Sequence, residues 1–320
     1  MKTVVSALLA LTAMIVGSLL TGVSPVSLAG LLNGNFDGNT ALVIASSRIP
    51  RTFSLLLAGA GLAVSGSIMQ MLARNRFVEP STAGTSDSAS LGMLVVMMFF
   101  PSLPVFGKML VAGLFALGGT ALFLAILERI PMRSALLVPL VGIMLGGVIS
   151  AVATFFAYRF DLMQSLGAWS NGDFSMVLKG RYELLWLAVV VTVIAYVTAA
   201  RFTIAGLGET IARNVGLNYR TVVTLGLAIV SLVTASVVVT VGMIPFVGLV
   251  VPNIVSMFAG DNLRRTLPWI AFSGAALVLF CDLAGRLIVF PYEIPIGTMM
   301  GVIGSGFFLY LLLGKRFHGA

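Results

Sequence analysis

Between Thr221 and Gly260 the chain carries no Asp, Glu, Lys or Arg. A helix that crosses a bilayer takes about 20 apolar residues. This stretch is too long for one crossing and too apolar to lie in water. Gly242-Met243-Ile244-Pro245 sits at its middle and reads as a turn between two spans. The same reading places about ten charge-poor runs along the chain, near 3–24, 50–72, 83–100, 107–127, 135–157, 182–200, 221–241, 245–259, 267–290 and 295–313. Composition agrees. Hydrophobic residues make up 59% of the chain and charged residues 9%, against about 45–50% and about 25% in soluble domains. Lipid has to be the solvent for much of this surface, and 35 glycines suit close helix packing within it. The expected fold is an all-α polytopic membrane protein with about ten transmembrane helices, a single transmembrane domain over 1–320.

Met1, Lys2 and the apolar run Val4–Leu20 resemble a secretory leader, and the run is read as a first span. The positive-inside rule orients the rest. With the N-terminus in the cytoplasm, twelve of the 19 basic residues fall on that side, among them Arg74, Arg129, Arg133, Arg213, Arg264, Lys315 and Arg316. Six fall outside: Arg48, Arg51, Lys108, Arg159, Lys179 and Arg181, while Arg286 lies within a span. Both termini are therefore expected in the cytoplasm. The net charge of +8 is spread singly or in pairs between apolar runs, as topology-setting charge is, and points to no nucleic acid. The one cysteine, Cys281, permits no internal disulfide. The one histidine, His318, leaves no HExxH zinc site and argues against a His-dependent triad.

Three segments fall outside the runs. Two are outer loops, about 24–48 with the turn signals Asn33-Gly34-Asn35 and Asp37-Gly38, and about 158–181. Within the second, Leu162–Trp169 has the makings of a short surface helix with Trp169 as an interfacial anchor. The third, about 201–220, lies on the inner side. Leu207, Ile211 and Val215 recur there at helical spacing, Glu209 and Arg213 stand at i, i+4, and Gly216 reads as a helix stop. Nothing here is long enough for a soluble enzyme domain, and no G-x-x-x-x-G-K-[ST] phosphate loop occurs.

Each polar feature has a plain and a functional reading. The Glu209–Arg213 helix is an interfacial loop with an internal ion pair, or a docking helix for a cytoplasmic partner. Arg48 and Arg51, flanking Ile49-Pro50, touch lipid headgroups, or they bind an acidic partner outside. Asp282 and Arg286 form an ion pair within a span, or Asp282 relays protons, although a carboxylate beside an arginine is a poor proton carrier. The run from Arg74 to Gly84 is a turn, or a gate at the inner end of a pathway.

Taken together and in order, these segments resemble the FecCD-type permeases of ABC importers for iron–siderophore complexes and vitamin B12. The likeness is carried by Arg48-Ile49-Pro50-Arg51, Gly59–Gly66, Met69-Gln70, Asn75–Gly84, Leu207–Leu217, Gly242–Asn253, Asp282, Arg286 and Glu293-Ile294-Pro295-Ile296-Gly297. The resemblance implies the type II importer permease fold of ten helices and a pathway shared with a second permease subunit, identical or homologous. It also implies two ATP-binding subunits that hold ATP and Mg, and an extracytoplasmic siderophore-binding protein. No cofactor, metal or catalytic residue is expected in this chain, which would sit in a bacterial inner membrane. Leu207, Gly208, Glu209, Ala212, Arg213 and Gly216 match the ATPase-coupling helix. Arg48, Arg51 and Arg286 match the positions that meet the binding protein. Asn75, Arg76 and Phe77 match the cytoplasmic gate.

Two departures stand out. The family's Asn-Pro is Asn75-Arg76 here, and its Pro-His is Pro252-Asn253. The run Asn75–Thr85 looks like the subgroup that imports catecholate or mixed catecholate siderophores. The rival from another class is a proton-coupled secondary transporter working through Asp282.

Overall fold

The computed structural model describes residues 2–22, 38–129, 137–180 and 182–313. Asn33–Asp37, Arg133, Arg181, Lys315, Arg316 and His318 lie outside these. Among the described residues all regular structure is helical. In chain order the α-helices are α1 (Lys2–Leu20), α2 (Gly38–Val43), α3 (Ile49–Leu72), α4 (Thr85–Phe99), α5 (Val105–Arg129), α6 (Leu137–Arg159) and α7 (Met163–Ser170). They continue with α8 (Trp186–Gly206), α9 (Glu209–Asn214), α10 (Tyr219–Val241), α11 (Val247–Ala259), α12 (Leu263–Ile288) and α13 (Ile296–Leu313). Among the described residues six helical stretches are long and apolar enough to cross a membrane, and four more, Val5–Leu20, Thr85–Phe99, Val247–Ala259 and Ile296–Leu311, are apolar but shorter.

Two expectations are corrected. The end of the first outer loop is helical, because Gly38–Val43 and a π turn at Ile44–Arg48 run straight into α3. The inner amphipathic helix is shorter than Leu207–Val215, covering Glu209–Asn214 alone. The turn at Gly242–Pro245 and the short helix expected over Leu162–Trp169, observed as Met163–Ser170, do form. Trp169, expected as an interfacial anchor, is instead half-buried and packs inward near Met93 and Met109.

Helix α3 is the axis of the bundle, and its middle is sheathed on all sides. Its glycines make this geometry available. A Cβ on Gly59 would run into the main chain of Gly274 on α12, and one on Gly66 into the main chain of Gly248 on α11. Two helices meet backbone to backbone at both crossings, where dispersion contacts and close approach replace the hydrophobic driving force that lipid cannot supply.

The irregular segment Ala73–Gly84 joins α3 to α4 and meets the start of α11 through Glu79 and Phe246. Non-helical backbone inside an apolar bundle persists only when its polar groups are satisfied internally. The amide of Phe77 donates to Oδ1 of Asn75 at 2.8 Å, and that of Glu79 donates to Oγ1 of Thr82 at 3.0 Å. The amides of Ala83 and Thr85 donate to the carbonyls of Glu79 and Pro80. The buried Glu79 carboxylate accepts from the amide of Phe246 at 2.6 Å and from the Ser81 hydroxyl, so it caps the first turn of α11.

Candidate functional site

At one end of the bundle, five charged side chains converge from the π turn before α3, from α3, from α12 and from the segment after α12. Arg51 reaches Oδ1 of Asp282 with Nη2 at 2.6 Å and Nε at 3.2 Å, and reaches Oε2 of Glu293 with Nη1 at 2.8 Å. The other oxygen of Asp282 accepts from Arg286, the i, i+4 pair expected from the sequence. Asp282 is therefore a shared anion between two guanidiniums. Nη2 of Arg286 also donates to the Ser18 hydroxyl at 2.8 Å, and its Nη1 donates to the carbonyls of Ser18 at 3.3 Å and Thr21 at 3.2 Å, while its buried Nε has no hydrogen-bond partner among the described residues. Arg48 donates to the carbonyls of Leu19 at 2.7 Å and Leu20 at 3.1 Å. The last turn of an α-helix leaves its carbonyls without amide partners. Arg48 and Arg286 fill that role for α1, where positive charge also opposes the helix dipole.

The three docking arginines of the sequence reading are thus brought together, but two of them face inward. Arg48 and Arg286 are 7% and 5% exposed, while the Glu293 side chain is 34% exposed. Sequence reasoning found the local Asp282–Arg286 spacing. It missed the Arg51–Asp282 pair, 231 residues apart, for which the sequence holds no periodic signal.

At the opposite end of α3, Asn75, Arg76 and Phe77 sit together. Asn75 closes a side-chain turn onto the Phe77 amide. Phe77 is buried with Leu249, Val250 and Leu311 and meets Phe308 edge-to-face at 5.8 Å. Arg76 points out, its Nη2 2.6 Å from Oδ2 of Asp261 beyond α11. Its carbonyl accepts from the side-chain amide of Asn253 at 2.8 Å.

Beside this segment lies α9. Glu209 and Arg213 pair at 2.5 Å on its exposed face. Asn214 ends the helix, and Gly216, at φ 78°, allows the closing turn in which the Leu217 amide returns to the Ala212 carbonyl. Ala212 is fully buried and is the helix's anchor. Leu207, Ile211 and Val215, spaced as an apolar face, are 61%, 48% and 62% exposed. Among the described residues no group of three His, Cys, Asp or Glu could hold a metal ion.

A family model described as the FecCD transport family matches residues 8–314. The chain belongs to the FecCD family. Among its FecCD relatives, the petrobactin import system permease protein of Bacillus subtilis (strain 168) is 50% identical over 97% of this chain and 96% of its own length. The ferric-anguibactin transport system permease protein of Vibrio anguillarum is 44% identical over 87% of this chain and 88% of its own. A solved structure described as an inward-facing conformation of a metal-chelate type ABC transporter superposes with a TM-score of 0.81 at 26% identity, covering 97% of this chain and 98% of that one. The FecCD likeness drawn from short motifs is thus a likeness of the whole chain. FecCD proteins are permease subunits of ABC transporters, not enzymes.

Proposed function

We propose that this FecCD chain is the permease subunit of an ATP-driven importer of ferric siderophores of the catecholate class, working with a second permease subunit. The observation that carries the reading is the 50% identity, end to end, to a petrobactin import permease. The six long and four shorter apolar helices support ten crossings of a bacterial inner membrane. The bias of basic residues supports cytoplasmic termini. Helices α5, α6 and α8 leave most of their apolar surface uncovered, which suits lipid and a second permease.

The reading gives each site one task. Of two ATPase subunits, which hold ATP and Mg, one seats on the second permease and the other on α9. Its uncovered Leu207, Ile211 and Val215 supply apolar contact, and its Glu209–Arg213 pair supplies orientation. ATP-driven motion of α9 changes the packing of the Asn75–Phe77 segment against α11 and α13, so access alternates between the two sides. An acidic surface of the extracytoplasmic binding protein meets the Arg51 end. Arg51 lies nearest the surface, and contact with Arg48 and Arg286 requires their bonds to α1 to open. The iron stays with the siderophore, so the chain needs no metal ligands.

Asp282 as a proton carrier is the weaker reading. Its two oxygens are already held by Arg51 and Arg286.

The deciding experiment reconstitutes the permease with its ATPase and binding protein in liposomes and offers ferric petrobactin. Uptake that requires ATP and the binding protein supports the proposal. Uptake that follows a proton gradient without ATP would overturn it.

A further inference from the structure

Helices α3 and α9 end in the same motif. After α9, the amide of Leu217 returns to Ala212 and that of Gly216 to Arg213. After α3, the amide of Asn75 returns to Gln70 at 3.0 Å and that of Arg74 to Met71 at 3.2 Å. This turn places its first non-helical residue in the left-handed region, where glycine is the usual occupant. Gly216 fills it after α9, at φ 78°, whereas Arg74 fills it after α3, at φ 48°. A side chain in this conformation is strained.

The side chain of Arg74 leads directly to α9. A methyl group on Gly208, the residue that opens α9, would sit 3.3 Å from Nη1 of Arg74. Gly208 is itself held at φ 111°. Arg74 is also the wall between two cavities. One, of about 240 Å³, lies beside Arg76, Leu207 and Asp261. The other, of about 650 Å³, lies beside Glu128, Glu209 and Arg220. The main chain of Arg74 therefore joins Asn75, and its guanidinium abuts the hinge of α9, with open space on both sides.

We propose that Arg74 is a positioning residue that carries movement of α9 to the Asn75–Phe77 segment. The proposal rests on α9 being the ATPase-coupling helix. A main-chain turn at one end and a guanidinium against Gly208 at the other make Arg74 a direct physical link between them. The cavities on either side leave the guanidinium room to follow the hinge.

The variant that isolates this role is Arg74→Gly. It relieves the backbone strain and removes the exposed guanidinium, so the permease is expected to melt at or above the wild-type temperature and to retain its ATPase. In the complete liposome system, the readout is ferric petrobactin imported per ATP hydrolysed. A merely structural residue would lower uptake and hydrolysis together and leave this ratio unchanged. A coupling link predicts a ratio reduced by roughly tenfold, with partial recovery in Arg74→Lys. A wild-type ratio in Arg74→Gly, or failure of that variant to assemble, overturns the proposal. The double variant Glu209→Ala, Arg213→Ala tests the underlying reading separately. If it keeps both the ATPase and the wild-type ratio, the coupling role of α9 falls whatever Arg74→Gly shows.

Discussion

The side-chain amide of Asn253, on α11, donates to the main-chain carbonyl of Arg76 at 2.8 Å. These two residues are the two departures from the family's motif pattern, 177 positions apart, and they lie in one contact. Arginine in place of proline lets the segment place a guanidinium on Asp261. Asparagine in place of histidine supplies a short donor that bonds the carbonyls of both Arg76 and Leu249.

Replacing Asn253 therefore tests the contact. Asn253 is 1% exposed, and Asn253→Leu strands the Arg76 carbonyl, at an expected cost of roughly 1–3 kcal/mol. Asn253→His keeps a donor at the same place and is expected to lose less. Thermal unfolding of the detergent-solubilised permease measures both. Equal loss in the two variants would show that side-chain volume, not the hydrogen bond, is what the site requires.

Two aspartates that each pair with arginine are expected to differ sharply. Asp282 is buried between Arg51 and Arg286, so Asp282→Ala leaves buried positive charge uncompensated and is expected to cost roughly 3–5 kcal/mol. Asp261 and Arg76 are about half exposed, and Asp261→Asn is expected to cost less than about 1 kcal/mol. Comparable shifts in unfolding temperature would contradict this division.

Glycines of this chain divide in the same way. Gly66→Ala drives a methyl into the Gly248 main chain, which cannot yield as a flexible side chain would, and is expected to cost roughly 1–3 kcal/mol. A Cβ at Gly118 or Gly147 meets nothing within 4 Å, so alanine there is expected to be neutral or to stabilise its helix by up to about 1 kcal/mol. Unfolding of the isolated permease distinguishes the two classes, and a neutral Gly66→Ala would mean that α3 and α11 can separate freely.

The uncovered face of α9 gives a prediction about assembly. Ile211→Glu places charge at the centre of that face without touching the buried Ala212 anchor. The permease is expected to fold normally while its affinity for the ATPase falls by roughly tenfold or more. Co-purification measures it, and undiminished capture of the ATPase would move the docking surface elsewhere.

Much of the architecture is legible in the sequence because lipid imposes a strong local rule. A crossing helix must be long, apolar and free of charge, and its ends must carry the polar residues, so helix positions and the turn at Gly242–Pro245 can be read directly. Local spacing also reveals the Glu209–Arg213 and Asp282–Arg286 pairs, since i, i+4 contacts need only a helix. The direction in which a face points is another matter. Leu207, Ile211 and Val215 look like the buried side of an amphipathic helix, yet Ala212 is buried and they are not. Only the packing of neighbours decides that. Tertiary structure alone turned Arg48 and Arg286 inward onto α1, placed Arg51 on Asp282, and brought Arg76 to Asn253. Each of these contacts joins groups far apart in the chain, and their partners are fixed by how the helices pack, not by any period in the sequence.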